Sequence, residues 1–133
     1  MKVTAIIEKG QDGTYDVYTI GSQLNYMVLG QGVSVDEAIA DFHNTYEEIK
    51  EMYIEEKREF TPAEFYFKYD IPSFLQHYSK YFSYASLGRL TGINESQLSQ
   101  YVQGYRKPSV KTAEKIEKGL HQLGKELQEI QFV

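Results

Sequence analysis

The spacing of apolar and polar positions changes several times along the chain, and each change marks a predicted element. Residues 2–8 (KVTAIIE) and 14–20 (TYDVYTI) are short runs rich in β-branched and aromatic side chains, the composition of strands. GQDG separates them, and its Asp-Gly step favours a tight hairpin. Residues 24–29 (LNYMVL) predict a third strand, and Gly30-Gln31-Gly32 is expected to break the sheet. Ser34-Val35-Asp36-Glu37 then has the S-x-x-E form of a capping box. Val35, Ala38, Ile39, Phe42, Tyr46, Ile49 and Tyr53 follow at helical spacing. Residues 65–69 (FYFKY) alternate again and predict a fourth strand. The front of the chain therefore reads β-β-β-α-β, with the helix covering one face of the sheet.

Behind it the pattern is helical throughout. Ile71-Pro72 ends the strand, because proline cannot donate to a ladder but fits the first turn of a helix. Phe74, Leu75, Tyr78 and Phe82 space as one helix, and residues 84–91 (YASLGRLT) as a second. Gly92 supplies the positive φ that a tight turn between helices needs. Asn94 is placed to cap the next helix, with Gln97 able to reach back to it. Gly88 removes a side chain where these two helices would cross. The fold class is α+β, with residues 1–70 as the front module and residues 71–133 as an all-α helix-turn-helix domain.

On the helix after Gly92, Leu98, Tyr101 and Val102 form the inner face. Ser96, Ser99, Gln100 and Gln103 form an uncharged outward stripe. Ser and Gln both donate and accept, which suits base edges in a major groove, and Glu95 could accept from a cytosine amino group. Arg106 and Lys107, after Gly104, stand where phosphates would pass and would position rather than select. Ser109 caps a last helical region in which Ala113, Ile116, Leu120, Leu123, Leu127 and Ile130 recur every three or four residues. Gly119 and Gly124 weaken that helix by about 1 kcal/mol each relative to Ala, so a break is expected near Gly119. Its far end, residues 123–130, is available to a second copy. A homodimer, or a higher even oligomer, would set two reading helices about 34 Å apart on double-stranded DNA.

Charge alters this picture. The net charge of −5 is unusual for a nucleic-acid binder, but residues 1–60 hold 5 Lys/Arg against 12 Asp/Glu, and residues 61–133 hold 9 against 7. An acidic front and a mildly basic back indicate two modules with different partners. The first helix carries much of the excess, at Asp36, Glu37, Asp41, Glu47 and Glu48. These acids are either a solvated face or a docking face for a basic protein.

Other chemistry finds little support. The absence of Cys excludes disulfides and thiolate metal sites. No apolar run approaches a membrane span, and the first residues lack a signal-peptide core, so a cytoplasmic, membrane-free protein is expected. Glu8, Asp16, Glu37, Asp41 and Asp70 lie at element ends, as a two-metal nuclease would require, but no spacing forces them together. His43, His77 and His121 are scattered, and no nucleophile elbow, zinc-binding or nucleotide-binding motif occurs. The expectation is a non-enzyme with no catalytic residues, metal or cofactor.

Residues 84–108 resemble the Cro/phage-repressor class of helix-turn-helix, through Gly88, Gly92, Ile93, Leu98 and the closing Gly104-x-x-x-Pro108. That resemblance implies base contacts from Glu95, Ser96, Ser99 and Gln100, and backbone contacts around Tyr84, Arg106 and Lys107. The front, KVTAIIEKGQDGTYDVY…GQGVSVDEAIADF, resembles the N-terminal domain of HicB-type antitoxins, a partial ribonuclease-H-like fold. The resemblance implies an antitoxin whose front domain neutralises a small basic mRNA-cleaving toxin and whose back domain represses its own operon. The alternative is a stand-alone repressor whose front module only dimerises or binds a ligand.

Overall fold

The structure, a computed structural model, describes residues 1–21 and 24–133. It is α+β, in the order β1 (Lys2–Lys9), β2 (Tyr15–Thr19), β3 (Leu29–Gly32), α1 (Val35–Glu55), β4 (Glu64–Tyr69), α2 (Ile71–His77), α3 (Tyr84–Thr91), α4 (Glu95–Gln103) and α5 (Val110–Glu129). The chain divides into two compact units, Met1–Ser73 and Phe74–Val133.

In the first unit the sheet runs β3-β2-β1-β4, antiparallel except for the parallel β1–β4 pair. The Asp-Gly turn closes the β1–β2 hairpin, with the Gly10 amide donating to the Thr14 carbonyl at 2.8 Å and the Asp12 carboxylate accepting from Thr14. Strand alternation then decides burial. Val3, Ala5 and Ile7 of β1 and Tyr15 and Val17 of β2 point into the core, where α1 sets Val35, Ala38 and Phe42 against the sheet. Phe42 is fully buried, with the rings of Phe65 and Phe67 edge-on to it at 4.8 and 5.5 Å. Burying one such side chain contributes about 1.5–3 kcal/mol. The Ser34 hydroxyl caps α1 by accepting from the Glu37 amide.

The third strand is not where the pattern placed it. Residues 24–28 are irregular, and β3 joins Leu29, the last residue of the expected strand, to Gly30, Gln31 and Gly32, the stretch expected to break the sheet. Two packing demands explain the shift. Tyr26 leaves the sheet to stack on Phe60 at 5.1 Å and to donate to the Thr61 carbonyl, beside Tyr46 and Tyr53. The glycines are needed because α1 lies directly on the strand: a Cβ at Gly30 would stand 2.3 Å from the Phe42 amide nitrogen, and one at Gly32 2.6 Å from that of Ala38.

In the second unit, the helix expected through Tyr78 and Phe82 is shorter. α2 stops at His77 and a 3-10 turn covers Tyr78–Lys80, where the Ser79 hydroxyl donates to the Gln76 carbonyl. α5 is continuous through Gly119. A Cβ there would lie 3.0 Å from the Leu90 carbonyl oxygen, so this glycine serves the crossing with α3 rather than a break.

Candidate nucleic-acid interface

The turn between α3 and α4 is built from small residues with separate duties. Gly92 takes the left-handed conformation (φ 75°) and its amide donates to the Gly88 carbonyl at 2.8 Å. Gly88 itself is required by closeness, since a Cβ there would meet the Ile93 carbonyl oxygen at 2.9 Å. The buried Thr91 hydroxyl donates to the Leu87 carbonyl and accepts from the Ile93 amide, which locks the turn from within. Ile93 then buries its side chain, and the Asn94 carboxamide oxygen accepts from the Ser96 amide to start α4. The Thr91 hydroxyl and the Asn94 carboxamide thus satisfy the Ile93 and Ser96 amides, which the helix ends leave without a backbone partner.

Leu87, Leu98 and Tyr101 are almost fully buried and fix how α4 rolls on α3. Gln97 does not return to the cap as expected. Its amide group donates to the Tyr101 hydroxyl one turn on, which satisfies the polar tip of that buried ring. Gly104 ends α4 in the left-handed conformation (φ 80°), and the Tyr105 amide reaches back to the Gln100 carbonyl at 3.0 Å.

With that face turned inward, α4 presents its other side. Glu95, Ser96, Gln100 and Gln103 are exposed, and Ser99 is half-buried. Arg106 and Lys107 are exposed just past the α4 cap, and Tyr84 is half-buried at the start of α3. The side chains of Ser96, Ser99, Gln100 and Gln103 make no hydrogen bond to the described residues, so their donors and acceptors remain open to a ligand. Two further groups join the surface. Tyr105 is exposed between the α4 cap and Arg106, and the Lys115 ammonium of α5 lies over the turn, 3.5 Å from where a Gly92 Cβ would stand. The cations Lys111 and Lys115, one helical turn apart on α5, were a legible signal for the second of these.

The remaining candidates lie in the other unit. Asp36, Glu37, Asp41, Glu47 and Glu48 are all exposed on α1. Asp41 alone among them is engaged through its carboxylate, accepting the Gln31 amide at 2.8 Å. Glu8 accepts the Tyr18 hydroxyl at 2.6 Å, and this hydrogen bond, with burial and nearby carboxylates, pushes the Tyr18 pKa up to about 12. Asp70 accepts from the Ser73 amide at the start of α2. Among the described residues no three His, Asp or Glu gather into a group able to hold a metal ion. His43 stands edge-on to the Phe42 and Phe67 rings.

Residues 76–124 match a family model described as Helix-turn-helix, a span that contains α3, the turn, α4 and most of α5. Neither curated proteins nor solved structures gave a match to the chain. No helix of the described residues is long and apolar enough to cross a membrane.

Proposed function

Starting from a DNA-binding transcriptional regulator with a Cro/C1-type helix-turn-helix domain at residues 76–124, we propose an antitoxin that represses its own operon. In this reading the helical unit binds a palindromic operator as a dimer, and the α+β unit neutralises a small basic, mRNA-cleaving protein. The protein has no catalytic role of its own and works in the cytoplasm. The observation that carries the reading is the charge contrast between the two units. Residues 1–73 hold 6 Lys/Arg and 14 Asp/Glu, a balance of −8, whereas residues 74–133 hold 8 and 5, a balance of +3. An acidic unit attracts a basic protein and repels a phosphate backbone, so the two surfaces do not compete for one ligand.

Dimerisation follows from the DNA-binding part. A balance of +3 is modest where phosphate neutralisation supplies much of the affinity. Past Gly119, α5 carries Leu120, Leu123 and Leu127 in one row, Ile130 follows as its extended C-cap, and Leu127 and Ile130 are 55% and 53% exposed. A second copy laid along that row would cover it and double the charge at the operator.

The test is co-expression of the full chain with the protein encoded beside it. Recovery of a complex that binds the shared promoter, with growth restored when the neighbour is toxic, is the expected result. A chain that represses its promoter but captures no basic neighbour would leave the stand-alone repressor in its place.

A further inference from the structure

The two edges of the sheet are not alike. β4 has the features that keep a free edge from pairing: Glu64 and Lys68 within it and Pro62 just before it. β3 has none of these. Its sequence is LGQG, and Met27, Leu29 and Val33 along it are 73%, 54% and 72% exposed. The Thr19 amide donates to the Val28 carbonyl, whereas the Gln31 amide turns away from β2 to the Asp41 carboxylate. In an antiparallel ladder such groups alternate between sides, so Leu29 and Gln31 present their amides and carbonyls outward. Among the described residues β3 therefore pairs on one side only, and its outer edge has an apolar flank and a single cap, the Asp41 carboxylate on the Gln31 amide.

We propose that β3 receives an extended segment of a basic protein as a fifth strand of the sheet. This rests on the function proposed above and specifies where the partner of the acidic unit docks. Charge selects the occupant. Gly30 and Gly32 let α1 press onto β3, which places the exposed acids Glu37 and Asp41 beside the open edge. A second copy would bring those acids against their own equivalents in a unit already at −8. A strand bearing Lys or Arg would instead find a carboxylate at each. The Gln31 amide would pass from Asp41 to a carbonyl of the incoming strand, and Asp41 would turn to a basic side chain. Main-chain bonds supply affinity in such strand addition, and flanking side chains supply specificity.

The experiment uses the full chain and, as probe, the product of the gene adjacent to its own. Gln31→Pro removes an outward donor that β2 does not use, and Leu29→Lys puts a like charge in the partner's path. Each is expected to weaken binding about tenfold or more, an effect of about 1.4 kcal/mol. The paired change Glu47→Ala and Glu48→Ala should cost less. In hydrogen exchange, the Leu29 amide should become protected only in the complex, whereas the Gln31 amide, already held by Asp41, should gain further protection there. If Gln31→Pro unfolds the unit, Leu29→Lys at its exposed position decides. Wild-type affinity in a folded Leu29→Lys variant overturns the edge and leaves the function standing. A neighbour that does not bind the wild-type chain at all overturns both. Self-association of the chain that Leu29→Lys abolishes would assign the edge to a second copy and overturn the inference.

Discussion

Gly88 of α3 stands so close to the Ile93 carbonyl that a single methyl group would come within 2.9 Å of its oxygen. Gly88→Ala should therefore destabilise the helical unit by about 1–3 kcal/mol, the usual cost of forcing extra atoms into a closed contact. Because the contact sets the α3–α4 crossing, operator binding should fall by more than the lost stability explains. Chemical denaturation and DNA titration of the same variant give the two quantities. Unchanged stability would show that the turn can open.

The exposed row on α4 and the cations beyond it should fail in different ways. Ser96→Ala and Gln100→Ala remove groups suited to base edges and should each reduce discrimination between operator and altered sites by about 1–3 kcal/mol where the contact is good. Arg106→Ala and Lys107→Ala should weaken binding to all duplexes alike and flatten the logarithmic salt dependence by about one unit per lost phosphate contact. Titrations on two duplexes at several salt concentrations separate the effects. Discrimination untouched by both α4 substitutions would remove the row from base readout.

Alkaline sensitivity should trace to Tyr18. Its hydroxyl donates to Glu8, and that bond, with burial and neighbouring carboxylates, holds its pKa at about 12, above the ordinary value of 10. A raised folded-state value means that this contribution is whole below pH 10 and is lost as the pH climbs through about 12. Tyr18→Phe should show a shallower loss of stability across that window. Some dependence should persist, because burial chiefly pushes Tyr26 to about 12 as well. Denaturation midpoints of both proteins across the window provide the comparison, and identical slopes would place the sensitivity elsewhere.

Local signals read well where one residue had one task. Ser34, Asn94 and Ser109 cap the helices they precede, and Gly92 and Gly104 close their turns in the left-handed conformation. The helical stripe from Val35 to Tyr53 is the face that α1 buries. In the failures, packing against a neighbouring group overrode a local preference, at long range for β3 and one helical turn away for Gln97. Gly30 and Gly32 looked like sheet breakers but are strand residues chosen for the nearness of α1, and LNYMVL looked like a strand but sends Tyr26 into an aromatic cluster. Gln97 had the position of a capping residue, but the buried Tyr101 hydroxyl was the better partner. The outward placing of Ser96, Gln100 and Gln103 was legible because Leu98 and Tyr101 between them mark the buried face of α4. The β3 edge was not, because a strand edge is defined by a neighbour that is missing, which no periodicity records.

Two glycines test that distinction directly. At Gly30 a Cβ would lie 2.3 Å from the Phe42 amide nitrogen and 2.6 Å from its Cα, both backbone atoms that cannot turn aside. Gly30→Ala must lift α1 from the sheet and should cost about 3 kcal/mol or more, opening the core around Phe42. At Gly124 nothing lies within 4 Å of the added carbon, and α5 runs through the site as regular helix. Gly124→Ala should stabilise the helical unit by about 1 kcal/mol, through higher helix propensity alone. Thermal melts of the two variants should move in opposite directions. If Gly124→Ala instead weakens self-association while the unit itself stays folded, a second copy of α5 crosses at that position, and the gap there belongs to the dimer.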